Sequence, residues 1–387
     1  MSNTVNDLFK LSDAEQYLTD ELDAIIRREI ENNGGVIPFS RYMELALYQP
    51  SWGYYSNRLF KFGAKGDFVT APLISSLFGH LISRQLLELF SFGVKPQVLE
   101  FGAGNGKLAA DILACCGESI EHYFIIELSA NLVAWQRETL LEKVPQFIDK
   151  VIWLDNLPDS FDGVMLANEV LDAQPCNLVH FGADDISGVG VSIIDGKFAY
   201  QNYTLDAETK KIATELNLPY KDYISEINLA SRGFIRSLAD SLNHGAVILI
   251  DYGYGEKEYY HSEKYKGTLR GFYRQHVLDS VLEYAGLIDI TSSVNWTSIA
   301  EVGIDAGLEL IGYTNQASFL LNCGLSSIMS ELRNQLDEGK YLAISNQVNK
   351  LISHNEMGEM FKVCGFSRGI TQDSWVGFSA HDRSYSL

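Results

Sequence analysis

Acids and amides gather where apolar runs end. In "VLEFGAGNGK" Glu100 precedes Gly102, Gly104 and Gly106; "HYFIIE" closes on Glu127; "KVIWLDN" closes on Asp155 and Asn156; "VMLANEVLDAQP" closes on Asn168, Glu169 and Asp172. A glycine turn behind a strand leaves room for a ligand to approach the backbone and exposes N–H groups to it. Glu127, 25 residues past the first glycine, is spaced to accept the hydroxyls of a ribose. The chemistry expected of such a row is the holding of an adenosine cofactor. A dinucleotide fits less well, because the glycines run GxGxG rather than GxGxxG and Lys107 stands where the third glycine of that fingerprint would fall. A hydride-transfer enzyme is therefore the weaker reading.

S-adenosyl-L-methionine carries an ammonium and a carboxylate at its amino-acid end and no phosphate. The turn with Glu100, Gly102, Gly104 and Gly106 suits that end, Glu127 the ribose, and Asp155 with Asn156 the adenine edge. Two readings stay open for the fourth strand end. Asn168 caps a following helix whose first turn carries Glu169 and Asp172, or Glu169 and Asp172 grip a cationic substrate beside the cofactor.

These residues need a scaffold, and the patterning supplies one. From residue 96 short apolar runs alternate with helical ones, as in βαβ units on a parallel sheet. Strands are expected at "QVLEF", "HYFII", 150–155, 161–169 and 245–253, with a last helix and strand in "MGEMFKVCGFSRG". An Asp195-Gly196 turn marks a β-hairpin insertion. Ahead of the sheet, Ser12 and Glu15 form a capping box for a long first helix stopped by "NNGG". The Pro-, Gly- and aromatic-rich segments that follow predict short helices and loops rather than sheet, "PSWGYYS" suits a tight aromatic turn, and Thr70 caps a helix that Gly93 ends.

The totals narrow the partners. Thirty Lys and Arg against fifty Asp and Glu give a net charge of −20, a field that repels phosphate-rich polymers and argues against nucleic acid. The five cysteines lack metal-type spacing, which fits reduced thiols. No apolar run approaches the roughly 20 residues of a membrane span. The amino terminus lacks the features of a signal or transit peptide, and a cytosolic location is expected.

Together with the glycine turn, "FSRYMELALYQPSWGYYS", "GAKGDFVTAPLISSLFG", "ANEVLDAQP", "DYGY" and "GTLRGFYRQHV" make the chain resemble the MidA-like family of class I S-adenosyl-L-methionine-dependent methyltransferases, from about residue 18 to the end. The resemblance implies an α/β fold with a seven-stranded, mostly parallel, Rossmann-like sheet, helices on both faces, an N-terminal helical segment over residues 1–94, and insertions at about 178–244 and 254–345 that narrow the cleft. It implies S-adenosyl-L-homocysteine as product. It also implies a protein arginine as acceptor, since the family's mitochondrial members are arginine methyltransferases acting in assembly of respiratory complex I. On this reading Glu169 and Asp172 hold the guanidinium, His276 accepts the released proton, and Asp67 and Thr70 fix a segment folded over the cofactor. A cofactor-binding assembly chaperone and a small-molecule methyltransferase are the competing readings. The sequence departs from the family pattern at Val170 and Leu171, at Gln174, at Gln275 before His276, and at Ser293 and Asn295.

Overall fold

In the computed structural model, which describes residues 10–57, 70–274 and 276–387, the alternating pattern becomes one central sheet. Its strands are β2 (Gln97–Phe101), β3 (His122–Ile126), β4 (Val151–Leu154), β5 (Phe161–Asn168), β10 (Leu242–Tyr254), β15 (Glu309–Asn315) and β16 (Phe361–Arg368), in the order β4-β3-β2-β5-β10-β16-β15. The first five are mutually parallel and β16 is antiparallel to both of its neighbours. A short β14 (Val294–Asn295) joins the end of β10.

Strand alternation sorts the apolar residues between two cores. Val98, Val164, Ile248 and Ile250 pack with Phe78, Leu81 and Ala109 from the helices Leu77–Ser91 and Lys107–Cys116. Leu99, Met165, Val247 and Leu249 pack with Leu238 and Trp296 from the helices Leu229–Ser241 and Trp296–Asp305 on the other face. Both faces of β10 are covered, which explains why "AVILI" is apolar without interruption.

A second layer is built on the insertion between β5 and β10. β6 (Asn177–Phe181), β7 (Ile186–Ile194), β8 (Lys197–Tyr203) and β9 (Tyr223–Ile227) form an antiparallel sheet. The β7–β8 hairpin turns at Asp195 and Gly196, both at positive φ, as a two-residue turn of this composition requires. The capping box at Ser12 and Glu15 opens the helix Asp13–Asn32 as expected. This helix and the helix Phe39–Tyr48 share a core with β7 and with β13 (Asp289–Thr291). β13 belongs to a small sheet with β11 (Arg270–Tyr273) and β12 (His276–Leu278).

Three local expectations are corrected. Val36–Pro38 is a strand, β1, paired antiparallel to β7, because β7 offers an edge that the chain covers on its way between two helices. The helix after Thr70 is two helices, Ala71–Ile74 and Leu77–Ser91, separated by an extended Ser75. β15 lies within 254–345, a stretch read from the sequence as inserted, yet it completes the central sheet.

Gly245 sits at φ 149°, where an added Cβ would lie 1.9 Å from the carbonyl oxygen of Gly163 on the neighbouring strand. Close backbone approach, next to a register shift between Leu242 and His244, makes glycine obligatory there. Gly245→Ala is expected to lower stability by about 3 kcal/mol or more, read from urea unfolding.

Candidate functional site

Parallel register lines up the carboxyl ends of β2, β3, β4 and β5 with Ile250 inside β10. Phe101 pairs with Ile126 and Ala167, Ile126 with Leu154, and Asn168 with Ile250. The residues that follow, Gly102, Glu127, Asp155, Glu169 and Asp251, therefore stand along one edge of the sheet. The order of strand addition reverses between β2 and β5, from outward through β3 and β4 to outward through β10, the point at which open α/β sheets open a ligand crevice. A cavity of about 1140 Å³ lies there.

Most of the sequence-expected residues line it: Glu100, Gly102, Gly104, Glu127, Asp155, Asn156, Asn168, Glu169, Asp172 and Thr70. Gly106 does not. It caps the helix Lys107–Cys116 at φ 81°, and a Cβ would come within 3.0 Å of Gln136 Cα, so it permits close packing of the helix Ala130–Lys143 on the turn. Asp67 lies outside the described residues. Thr70 precedes the helix Ala71–Ile74 with no hydrogen bond from its side chain to the helix.

His276 is corrected as a site residue. It is exposed on β12, opposite Tyr273 in a hairpin, and is not part of the cavity lining. The hairpin turn at Arg274, φ 47°, carries it to the outer edge of the small sheet.

On the cofactor side the acids are tied to the backbone. Glu100 is buried and accepts from the Tyr123 hydroxyl at 2.8 Å. Burial pushes its carboxyl up to about 7, against the lowering effect of that hydrogen bond. Glu127 accepts from the Ser129 N–H at 3.0 Å and from Gln136 Nε2 at 3.1 Å. Gln136, which sequence reading missed, also donates to the Gly104 carbonyl at 3.0 Å and accepts from Trp153 Nε1 at 2.8 Å. One buried amide thus joins the glycine turn, the end of β3 and β4.

The reading of Asn168 as a helix cap is overturned. No helix follows β5; Glu169 takes φ 55°, and residues 169–176 form turns. Asp251 explains this path. Its Oδ2 accepts from the N–H groups of Val170, Leu171 and Asp172 at 3.1, 2.9 and 3.1 Å, while the Glu169 N–H donates to the Ile250 carbonyl at 2.8 Å. In a helix capped by Asn168 these N–H groups would fall mostly in the first turn, where no helical carbonyl reaches them; here a buried carboxylate on the neighbouring strand takes all three. Asp251 stands in "DYGY", and "D" after a buried strand was the only signal available.

The loop delivers two carboxyls to the cavity. Glu169 Oε1 accepts from Asn168 Nδ2 at 3.1 Å and from the Ala71 N–H at 3.4 Å. Burial first, then the nearby charge of Asp251, push it up to about 8. Asp172 is held well above the usual carboxylate range by burial and by Asp251, Asp289 and Glu169. Asp251 is itself pushed up to about 7 by burial, in spite of its backbone donors.

A family model described as S-adenosyl-L-methionine-dependent methyltransferase matches residues 81–314. The chain belongs to that family. A crystal structure described as a methyl transferase from Burkholderia thailandensis bound to S-adenosyl-homocysteine is 40% identical, covers 98% of this chain and all of its own, and superposes with a TM-score of 0.93. Among curated proteins, the chain is similar to the mitochondrial protein arginine methyltransferase NDUFAF7 of Danio rerio, at 27% identity over 85% of this chain and 82% of that protein. It is also similar to the NDUFAF7 homolog of Drosophila melanogaster, at 27% over 87% and 82%. These relatives are named as mitochondrial, which corrects the cytosolic expectation.

The protein is an S-adenosyl-L-methionine-dependent methyltransferase of α/β Rossmann-like fold. Its cavity fits the cofactor. Gly102 and Gly104 turn at φ 61° and 54° without side chains over the lining, and Asn168 Oδ1 is buried there without a partner among the described residues. No described helix is long and apolar enough to cross a membrane.

Asp251→Ala is expected to cost about 3 kcal/mol, roughly 1 kcal/mol for each buried N–H left without its acceptor. Denaturant unfolding of the variant measures the loss; a value within error of wild type would contradict the loop assignment.

Proposed function

We propose that this methyltransferase acts on an arginine side chain of a protein, with Glu169 and Asp172 as the residues that hold the guanidinium. The observation that carries the reading is the pair of sheltered carboxyls beside the strand ends, with no salt-bridge cation among the described residues. An arriving cation supplies the missing countercharge. The protein arginine methyltransferase names of the curated relatives support the same acceptor.

On the donor side, Glu100, Gly102 and Gly104 would receive the amino-acid end of the cofactor, Glu127 the ribose, and Asp155 with Asn156 the adenine; Gly106 supports the turn from behind. The cofactor, when bound, supplies an electrophilic methyl on a sulfonium. Glu169 and Asp172 would then orient one guanidinium nitrogen by paired hydrogen bonds, an arrangement suited to a planar fork of donors. Positioning of this kind supplies most of what an in-line displacement needs. With His276 on the outer hairpin, the proton leaving the methylated nitrogen falls to Glu169, whose raised carboxyl is a stronger base than an ordinary glutamate. The family resemblance makes a respiratory-complex subunit the first protein acceptor to try.

Labelled S-adenosyl-L-methionine added to an extract lacking the protein tests the reading. Label in a protein band, recovered after hydrolysis as methylarginine, is the expected result; label confined to the low-mass fraction would sink it. Glu169→Gln should lower transfer at least about a hundredfold, the range of general-base and positioning losses, while leaving S-adenosyl-L-homocysteine affinity unchanged by calorimetry.

Two pH effects follow from the raised carboxyl. A base must be ionised to act, so kcat/KM should rise with pH through about 8. Stability should move the other way, since the folded state binds this proton more tightly than the unfolded chain and loses that advantage as pH rises from about 4.5 through about 8. Glu169→Gln should therefore raise Tm more at alkaline than at mildly acidic pH, and an equal shift at both would contradict the assigned environment.

A further inference from the structure

The cavity of about 1140 Å³ exceeds the roughly 300–1,000 Å³ of an ordinary ligand pocket, and leaves room beside the cofactor. Its lining includes Asp289 and Thr291 of β13, Tyr252 near the end of β10, and Tyr48 and Tyr55 from the helix Phe39–Tyr48 and the turn after it. Asp289 and Thr291, two residues apart on β13, face the same side of the strand. Both are about 4% exposed, and both line the cavity.

Two hydroxyls here are unsatisfied. Thr291 Oγ1 and Tyr252 Oη are buried beside each other, and neither completes a hydrogen bond of good geometry among the described residues. Buried hydroxyls without partners are rare because they lose water and gain nothing in return, and a pair of them on one cavity wall points to a ligand that completes them. Around them stand acceptors. Asp289 takes the Tyr55 hydroxyl at 2.8 Å and, as a carboxylate, has capacity for further donors. Asp172 lies on the adjoining loop. Tyr55 stacks on Tyr48 with ring centroids 5.5 Å apart and 23° between planes, a flat aromatic wall.

Resting on the arginine reading above, we propose that Asp289, Thr291 and Tyr252 form an acceptor subsite that selects a guanidinium over an ammonium. Two carboxyl groups and two neighbouring hydroxyls present more oxygens than the three donors of an ammonium can use, whereas a guanidinium brings five donors in one plane. Its flat face suits the tyrosine wall. Glu169 then handles the reacting nitrogen while β13 fixes the rest of the group.

The variants Thr291→Val and Tyr252→Phe remove hydroxyls that neighbour each other and make no other hydrogen bond among the described residues, so a purely structural role predicts at most a change in stability and none in ligand affinity. N-acetyl-arginine amide and N-acetyl-lysine amide would be titrated by ligand-observed NMR into full-length protein saturated with S-adenosyl-L-homocysteine. The arginine probe should bind at least about tenfold more tightly than the lysine probe, and each variant, with Asp289→Asn, should weaken it about tenfold, the scale of a hydrogen bond to a charged group. Affinity for S-adenosyl-L-homocysteine should stay unchanged and Tm should not fall in Thr291→Val. Equal binding of the two probes, or unchanged arginine affinity in all three variants, overturns the subsite. If the labelling experiment still yields methylarginine, only the subsite fails; if wild type neither binds the arginine probe nor labels protein arginine, the reading beneath it fails as well.

Discussion

One carboxylate oxygen, Asp251 Oδ2, receives three consecutive backbone N–H groups, and the arrangement of this site depends on it. Without it, three buried N–H groups would be left without acceptors. Held by Asp251, the chain leaves β5 through a left-handed Glu169 and runs across the end of the sheet. Two acids then face the cavity rather than solvent. The price is electrostatic: burial raises the proton affinity of all three acids, and the charge of Asp251 raises that of Glu169 and Asp172 further.

The same edge carries the donor half by a different means. Strand register alone brings Gly102, Glu127 and Asp155 into line, and Gln136 ties the glycine turn, at the Gly104 carbonyl, to Glu127 through a single side-chain amide. Backbone geometry sets the cofactor edge, whereas side-chain charge sets the acceptor edge. The layer built from β6–β9, β11–β13 and the N-terminal helices closes over both. It is fastened there by contacts such as Asn131 Nδ2 to the Asn57 carbonyl and Tyr48 Oη to the Ala173 carbonyl.

The central sheet was legible in the sequence because its strands are buried on both faces and end in polar residues, a pattern with strong contrast. "AVILI" and "VMLAN" announce themselves, and the acids after them mark the edge where a ligand sits. Asp251, Gln136, Asp289 and Thr291 were not legible. Gln136 lies in mid-helix, where the side chain's partners come from three other segments; Asp289 and Thr291 lie on a three-residue strand too short to show alternation. His276 misled for the opposite reason, since its chemistry is attractive on any element, and only the hairpin that carries it reveals that it points away. Asn168 misled because amides before acids so often open helices, and nothing local discloses the buried carboxylate that diverts the chain.

The protonated state of Glu169 near neutrality has a calorimetric consequence. A cation that settles against that carboxyl lowers its proton affinity, so association is accompanied by release of a fraction of a proton to the medium. The heat of binding then includes the ionisation enthalpy of whichever buffer takes up that proton, and the apparent affinity for a cationic guest climbs with alkalinity. Set among a net charge of −20, a cavity with such a carboxyl would trade a proton for the fixed charge of a cationic guest.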